Sequence, residues 1–299
     1  MARTYRTRKL LTFVNIGIIL CIVYLVYRYT YLEGFSTDDV TLQEIPSFIP
    51  KTRQYEKDDI SGTPLILYNS WHSNSVPTKM AKNIYALLKS NPEFDYYLYS
   101  DEKSAEYIRE NFDEDVIYAF ETLKPGAFKS DLWRYCVLYK TGGVYMDIKY
   151  NTVEPLVSLL ENTPTIFVKD RDFFGNLKCV YNGVMASPPG NEIFKHCIDD
   201  IIRNCKLKLY NTTAVDVTGP CVLGRMLTKY EPETLKTIPY KYDVESIEVE
   251  MSDFNNKIDI IKYMDKPVIK SYPGYRLEQS TFQKTGRYAQ MWMDKNIYN

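Results

Sequence analysis

Asp131 and Arg134 stand three residues apart in the run Phe128-Lys129-Ser130-Asp131-Leu132-Trp133-Arg134-Tyr135. On a helix that spacing makes an acid and a base neighbours on one face. After Gly142-Gly143 comes Val144-Tyr145-Met146, a short apolar strand that closes on the carboxylate of Asp147, followed by Ile148, Lys149 and Tyr150. An acid–base couple of this kind can hold the hydroxyls of a polar ligand, and a strand-terminal carboxylate can hold a divalent cation beside a diphosphate leaving group. The plain structural alternatives are an intrahelical ion pair, worth about 0.2–0.5 kcal/mol, and a turn-forming aspartate. Ala127 and Leu138 flank the couple on the same stripe, which turns it toward protein, where charges are costly unless paired or used.

The elements that must position these groups can be read from periodicity. Phe128, Leu132, Tyr135, Cys136 and Tyr139 form an apolar stripe that predicts a helix over 127–140, closed by a glycine cap at Thr141-Gly142-Gly143. Upstream, 64–68 reads as a buried strand and 76–88 as a helix stopped by Asn91-Pro92. A strand follows over 95–99, then a helix capped by Ser100 that runs to Asn111. Downstream, 165–168 and 183–186 read as strands and 192–205 as a helix, while 243–259 is either a hairpin or a loop. Alternating strands and helices predict an α/β fold with a mostly parallel central sheet flanked by helices. Open sheets of that kind bind ligands at the C-terminal ends of their strands, which is where Asp147 falls.

The 37 basic and 38 acidic residues leave a net charge of -1, which argues against a nucleic-acid partner. The N-terminus predicts a membrane partner. Arg3, Arg6, Arg8 and Lys9 form a short cytoplasmic tail (1–9), and an apolar stretch over 10–29 reads as a transmembrane signal-anchor edged by Tyr24, Tyr27, Tyr29 and Tyr31. A cleaved signal peptide is the competing reading, but no small-x-small site follows the apolar run. The polar segment 30–60 then reads as a stem and 61–299 as the catalytic domain, facing the Golgi or ER lumen as a single-pass type II protein. Asn211-Thr212-Thr213 is a glycosylation sequon usable in that compartment. Cys136, Cys179, Cys197, Cys205 and Cys221 would lie there too; their spacing fixes no pairing, and buried free thiols are as good a reading as disulfides. The Lys-, Asn-, Ile- and Tyr-rich composition suits a large DNA virus, whose product would use host membranes, or an AT-rich eukaryote.

The stretch from Gly126 to Tyr150 resembles the sugar-binding region containing the Asp-X-Asp motif of glycosyltransferase family 32. The resemblance runs from about Pro64 to Ile261. Asn91-Pro92-Glu93-Phe94, Asn182-Gly183-Val184-Met185-Ala186 and Thr218-Gly219-Pro220 support it. It implies a GT-A-like fold, a nucleotide-sugar donor, a glycan or lipid acceptor and retention of anomeric configuration. By the family pattern Asp131 and Arg134 hold donor-sugar hydroxyls, Tyr145 lines the nucleotide pocket with Trp71 and Gly143, and Asp147 is the first acid of the metal motif, for Mn2+ or Mg2+.

Lys149 stands where that motif has its second acid, and a protonated lysine cannot ligate a cation. Either Asp147, the donor phosphates and a C-terminal ligand hold the metal, or the ammonium takes over part of its electrostatic task. Relatives with the same Asp-Ile-Lys-Tyr variant also share a Phe-Val-Lys-Asp-Arg segment like 167–171. That adds Lys169, Asp170 and Arg171 as second-tier site residues beside Asn182. Only His72 and His196 occur, which excludes a histidine-rich zinc site. A catalytically silent sugar- or nucleotide-binding relative and a membrane structural protein remain the rival functions.

Overall fold

The computed structural model describes residues 41–171, 178–246 and 257–299. The expected tail and anchor (1–29), and the stem up to residue 40, lie outside the described residues. No helix among the described residues is long and apolar enough to cross a membrane. The packed unit begins at Gln43. Part of the segment expected as stem therefore belongs to it: Ile45 is buried, and Phe48–Ile49 forms an edge strand.

Ten strands make one sheet. In chain order they are β1 (Phe48–Ile49), β2 (Ile66–Ser70), β3 (Asp95–Tyr99), β4 (Gly143–Met146), β5 (Tyr150–Thr152), β6 (Ile166–Lys169), β7 (Val180–Ser187), β8 (Tyr240–Ser246), β9 (Lys257–Tyr263) and β10 (Lys266–Ser271). Their spatial order is β1-β3-β2-β4-β7-β6-β8-β9-β10-β5. Only β3-β2, β2-β4 and β6-β8 pair in parallel; the other six neighbouring pairs are antiparallel. The expectation of a mostly parallel sheet is therefore corrected to a mixed one. The physical reason lies in the connections. Parallel neighbours need long crossovers, which here are helices, whereas β9 and β10 are joined across Met264 and Asp265, both at positive φ. Such a two-residue turn can only fold the strand back on itself.

Of the longer helices, four fall where the periodicity predicts and three were not read from it. In chain order they are α1 (Thr78–Ser90), α2 (Asp101–Asn111), α3 (Glu114–Thr122), α4 (Gly126–Thr141), α5 (Glu192–Lys206), α6 (Pro220–Tyr230) and α7 (Tyr275–Phe282), of which α3, α6 and α7 are the unexpected ones. Ser100 caps α2 by accepting from the Lys103 amide. Asn91 ends α1, its side chain donating to the Leu87 carbonyl and accepting from the Leu156 amide. Gly142 closes α4 at φ 67, its amide on the Leu138 carbonyl, and an added Cβ would lie 2.6 Å from the Pro189 nitrogen. Glycine is thus required there twice over. Helices α4, α5 and α6 bury Leu132, Trp133, Ile198 and Leu223 against one face of the sheet, while α1 buries Met80 and Ile84 against the other. This packing holds the C-terminal ends of β2 and β4 and the start of β7 along one edge.

Candidate active site

At that edge Asp131, Arg134 and Asp147 meet. The Arg134 guanidinium lies between the two acids, 3.5 Å from Asp131 Oδ1 and 3.3 Å from Asp147 Oδ1. It also donates to the Asn182 carbonyl at 2.9 Å and to Ser130 Oγ at 3.0 Å, and it stacks over the Tyr145 ring at 4.3 Å. With its donors committed and its side chain 8% exposed, Arg134 sits behind the carboxylates and spaces them. Asp131 and Asp147 keep 13% and 25% exposure, so they form the accessible face.

Each acid has its own supports. Asp131 accepts from Asn182 Nδ2 at 2.9 Å and from the Thr218 hydroxyl at 2.8 Å. Burial pushes its carboxyl up, against the lowering by Arg134, Thr218 and Asn182. Asp147 accepts from the Tyr145 hydroxyl at 2.9 Å and the Tyr181 hydroxyl at 3.3 Å, while its amide donates to the Gly183 carbonyl at 2.7 Å. Gly183 has no room for a side chain, because a Cβ there would lie 2.6 Å from Asp147 Oδ2.

Lys149 is buried and places its ammonium 3.7 Å from Asp147 Oδ2 and 2.6 Å from Asp259 Oδ2. Asp259 is the centre of a second cluster. Its Oδ2 also takes Arg276 Nη2 at 3.1 Å, its Oδ1 takes the Tyr242 hydroxyl at 2.9 Å, and its amide donates to Ser271 Oγ at 2.8 Å. Burial raises this carboxyl, but Lys149, Arg276 and Tyr242 together lower it further, so it lies below its ordinary value. A shallow pocket lined by Lys257, Asp259, Ser271, Tyr275 and Arg276 opens beside it.

The donor set does not fit a divalent cation at Asp147. Mg2+ and Mn2+ need several oxygen ligands, carboxylates among them. Both Asp147 oxygens already face cations and hydroxyls, and the nearby Asp259 is separated from it by the Lys149 ammonium. No group of three or more His, Cys, Asp or Glu among the described residues could hold a metal.

The other expected residues divide. Asn182 joins the cluster, bridging Asp131 and the Tyr135 hydroxyl. Tyr145, expected in the nucleotide pocket, is buried and backs Arg134 and Asp147 with its ring and hydroxyl. Gly143 lies at the opposite end of β4, where a Cβ would meet the Ile66 carbonyl at 2.8 Å, so close strand packing leaves no room for a side chain there. Trp71 follows β2 at the site edge, one residue from Ser70, whose hydroxyl contacts Ser130 and Tyr145. Its ring meets that of His72 at 4.9 Å, and its buried Nε1 has no hydrogen-bond partner among the described residues. Burial also lowers the His72 imidazole. Arg171 stacks on Tyr242 at 5.0 Å, and Tyr242 stacks in turn on Tyr181 at 4.2 Å, so this arginine borders the site through two rings. Asp170 accepts from the Arg171 amide, and Lys169 is exposed on β6, opposite Val180 and Lys241.

Thr218, Tyr181, Asp259 and Arg276 were not among the expected site residues. Thr218 and Tyr181 are brought together by a disulfide between Cys179, just before β7, and Cys221, at the start of α6. The bond ties the segment carrying the Thr218 donor to the strand carrying Tyr181 and Asn182. Cys136, Cys197 and Cys205 are buried free thiols, each pushed up by burial.

Residues 77–166 match the family described as "Glycosyltransferase sugar-binding region containing DXD motif". The chain is 29% identical over 217 residues to inositol phosphoceramide mannosyltransferase 2 of Schizosaccharomyces pombe, which covers 71% of this chain and 60% of that protein. It is 25% identical over 138 residues to the initiation-specific alpha-1,6-mannosyltransferase of Candida albicans, covering 44% of this chain and 34% of that one. An uncharacterized glycosyltransferase of Acanthamoeba polyphaga mimivirus is 26% identical over 172 residues, or 56% of this chain and 65% of its own length.

Proposed function

Starting from a chain that belongs to the family-32-type glycosyltransferases, we propose that it moves a hexose from a nucleotide-sugar diphosphate to a hydroxyl of a glycan or glycolipid, retaining anomeric configuration on a GT-A-like fold. Mannose is the first donor sugar to test and a lipid with a polyol headgroup the first acceptor, because the relatives include mannosyltransferases, one of them named for inositol phosphoceramide. The observation that carries the reading is the convergence of Asp131 and Asp147 on Arg134 at the ends of β2 and β4, with both carboxylates still partly exposed.

In this reading Asp131 and Asp147 accept hydroxyls of the donor sugar, and Arg134 holds the spacing between them. Trp71 borders the nucleotide. The acceptor oxygen bonds to the anomeric carbon while the bond from that carbon to the diphosphate oxygen breaks. The electron pair leaves with the diphosphate, and the acceptor proton passes to that anion or to water. Positive charge grows on the sugar ring as in glycoside hydrolysis, and carboxylates beside the ring favour it. Residues 10–29 serve as the membrane anchor and the catalytic part faces a secretory lumen; the Cys179–Cys221 disulfide supports an oxidising compartment.

The experiment is a donor panel of GDP-mannose and UDP-hexoses with the full chain, with manganese and with EDTA, reading nucleotide diphosphate release with and without acceptor. Release that depends on acceptor, and is lost in Asp131→Asn, is the expected result. Binding without turnover across the whole panel would mark a silent relative.

A further inference from the structure

We propose that the donor diphosphate is held without a divalent cation, by the ammonium of Lys149 and the guanidinium of Arg276, with Asp259 as the positioning residue that fixes both. The inference rests on the glycosyltransferase reading and goes beyond it. It starts from the misfit already described: the carboxylate that should begin a metal site faces cations instead, and the position of the second acid is a lysine.

Three charge pairs make up the region: Asp131, Asp147 and Asp259 against Arg134, Lys149 and Arg276. Arg134 is committed to the two sugar-side acids, to Asn182 and to Ser130. Lys149 and Arg276 are different. They share one oxygen of Asp259, at 2.6 Å and 3.1 Å, so their nitrogens lie no more than 5.7 Å apart. A phosphate or diphosphate can bridge that gap.

Asp259 itself is immobilised. It is buried, its second oxygen is taken by Tyr242, and its amide is held by Ser271. Both cations therefore stand in fixed positions before any ligand arrives, which is the arrangement that stabilises developing negative charge without reorganisation. Two fixed monovalent cations carry the formal charge of one divalent ion, and each makes charge-assisted hydrogen bonds to phosphate oxygens.

The clamp is open to solvent at Arg276, with the Lys149 side chain 5% exposed behind it. The Arg276 side chain is 51% exposed, and of its donors Nη2 goes to Asp259 and Nη1 makes a long 3.4 Å contact with Gln279 at the surface. It lines the shallow pocket with Lys257, a second basic group at the same mouth. The aromatic rings of Tyr150, Tyr181 and Tyr275 lie 4.9, 5.7 and 5.8 Å from the Lys149 ammonium and help to hold it in place. Arg276 and Asp259 lie outside residues 77–166, so the region matching the sugar-binding family contributes only half of this clamp.

The test is calorimetric titration of the full chain with GDP and UDP, in EDTA and in manganese, on the wild type, Arg276→Gln and Arg276→Lys, with thermal unfolding as the check on folding. The wild type should bind one of the two diphosphates with affinities within about 2-fold in the two buffers. Arg276→Gln should weaken that binding about 10-fold or more, the scale of one lost charge-assisted contact, and Arg276→Lys should recover most of it. Binding that needs manganese, or tightens 10-fold with it, overturns the inference and leaves the glycosyltransferase reading standing. So does unchanged affinity in folded Arg276→Gln. Failure to bind GDP, UDP, GDP-mannose or UDP-hexoses in either buffer defeats the reading, and the clamp with it.

Discussion

Gly183→Ala is a one-carbon change that should strike the site without touching its charges. The added Cβ would lie 2.6 Å from Asp147 Oδ2 and 2.4 Å from the Tyr181 hydroxyl, where ordinary contact begins at 3.4 Å. Asp147 must then move by about 0.8 Å and Tyr181 by about 1 Å, or the strand must shift, for packing of the kind interiors show. Neither yields easily. Tyr181 is stacked on Tyr242 at 4.2 Å and bonded to the Tyr150 hydroxyl at 2.7 Å, while Asp147 is tied to Tyr145 and Arg134. Overpacking of this size costs about 1–3 kcal/mol, which in a domain of this length is a drop of roughly 2–4 °C in Tm per kcal/mol. Displacing a positioning carboxylate by about 1 Å costs on the order of 100-fold in rate. The assay is kcat/KM for donor turnover beside a thermal melt. The expected result is a modest loss in Tm with a loss of activity near two orders of magnitude. Wild-type activity in a protein with wild-type Tm would refute the placement of Asp147 at the reacting centre.

Thr218→Val keeps the shape but removes the hydroxyl that donates to Asp131 at 2.8 Å; it should cost about 1–3 kcal/mol and weaken donor binding, as read by titration calorimetry. Reducing the Cys179–Cys221 bond, which closes a separation of 42 residues, should destabilise the chain by about 4 kcal/mol on the chain-entropy estimate. A Cys179→Ser, Cys221→Ser variant that melts like the oxidised protein contradicts this. Asp259 has a lowered pKa in the folded state, so its stabilisation is present above its unfolded value and vanishes as pH falls through the folded one. Denaturant unfolding from pH 7 down to pH 3 should therefore show a shallower acid loss in Asp259→Asn. The wild-type-minus-variant difference isolates this from Asp131, whose raised carboxyl acts with the opposite sign. Lys149→Asp should create a metal site from three neighbouring carboxylates, and manganese should then raise the Tm of the variant but not of the wild type; equal shifts in both would count against the charge argument.

Much of this protein is written in local pattern. The stripe Phe128, Leu132, Tyr135 and Cys136 specifies α4, and Gly142 ends it, because helix periodicity and a positive-φ cap are properties of neighbouring residues. The same run therefore places Asp131 and Arg134 side by side, and Asp147 at a strand end, with no knowledge of the rest of the chain. Asn182 could be marked because its motif sits beside a readable strand. The direction of β7, β9 and β10 could not, since an apolar run looks the same whichever way its neighbour points. Nor could Asp259 and Arg276: Asp259 meets Lys149 across a separation of 110 residues, from a hairpin whose arms carry no catalytic signature, and Arg276 meets Asp259 from α7. The chain itself announced an acid–base couple, a terminal carboxylate and a lysine out of pattern. What that lysine does was decided by folding alone, because an ammonium takes its meaning from the carboxylate it meets, and that partner comes from a strand 110 residues further along the chain.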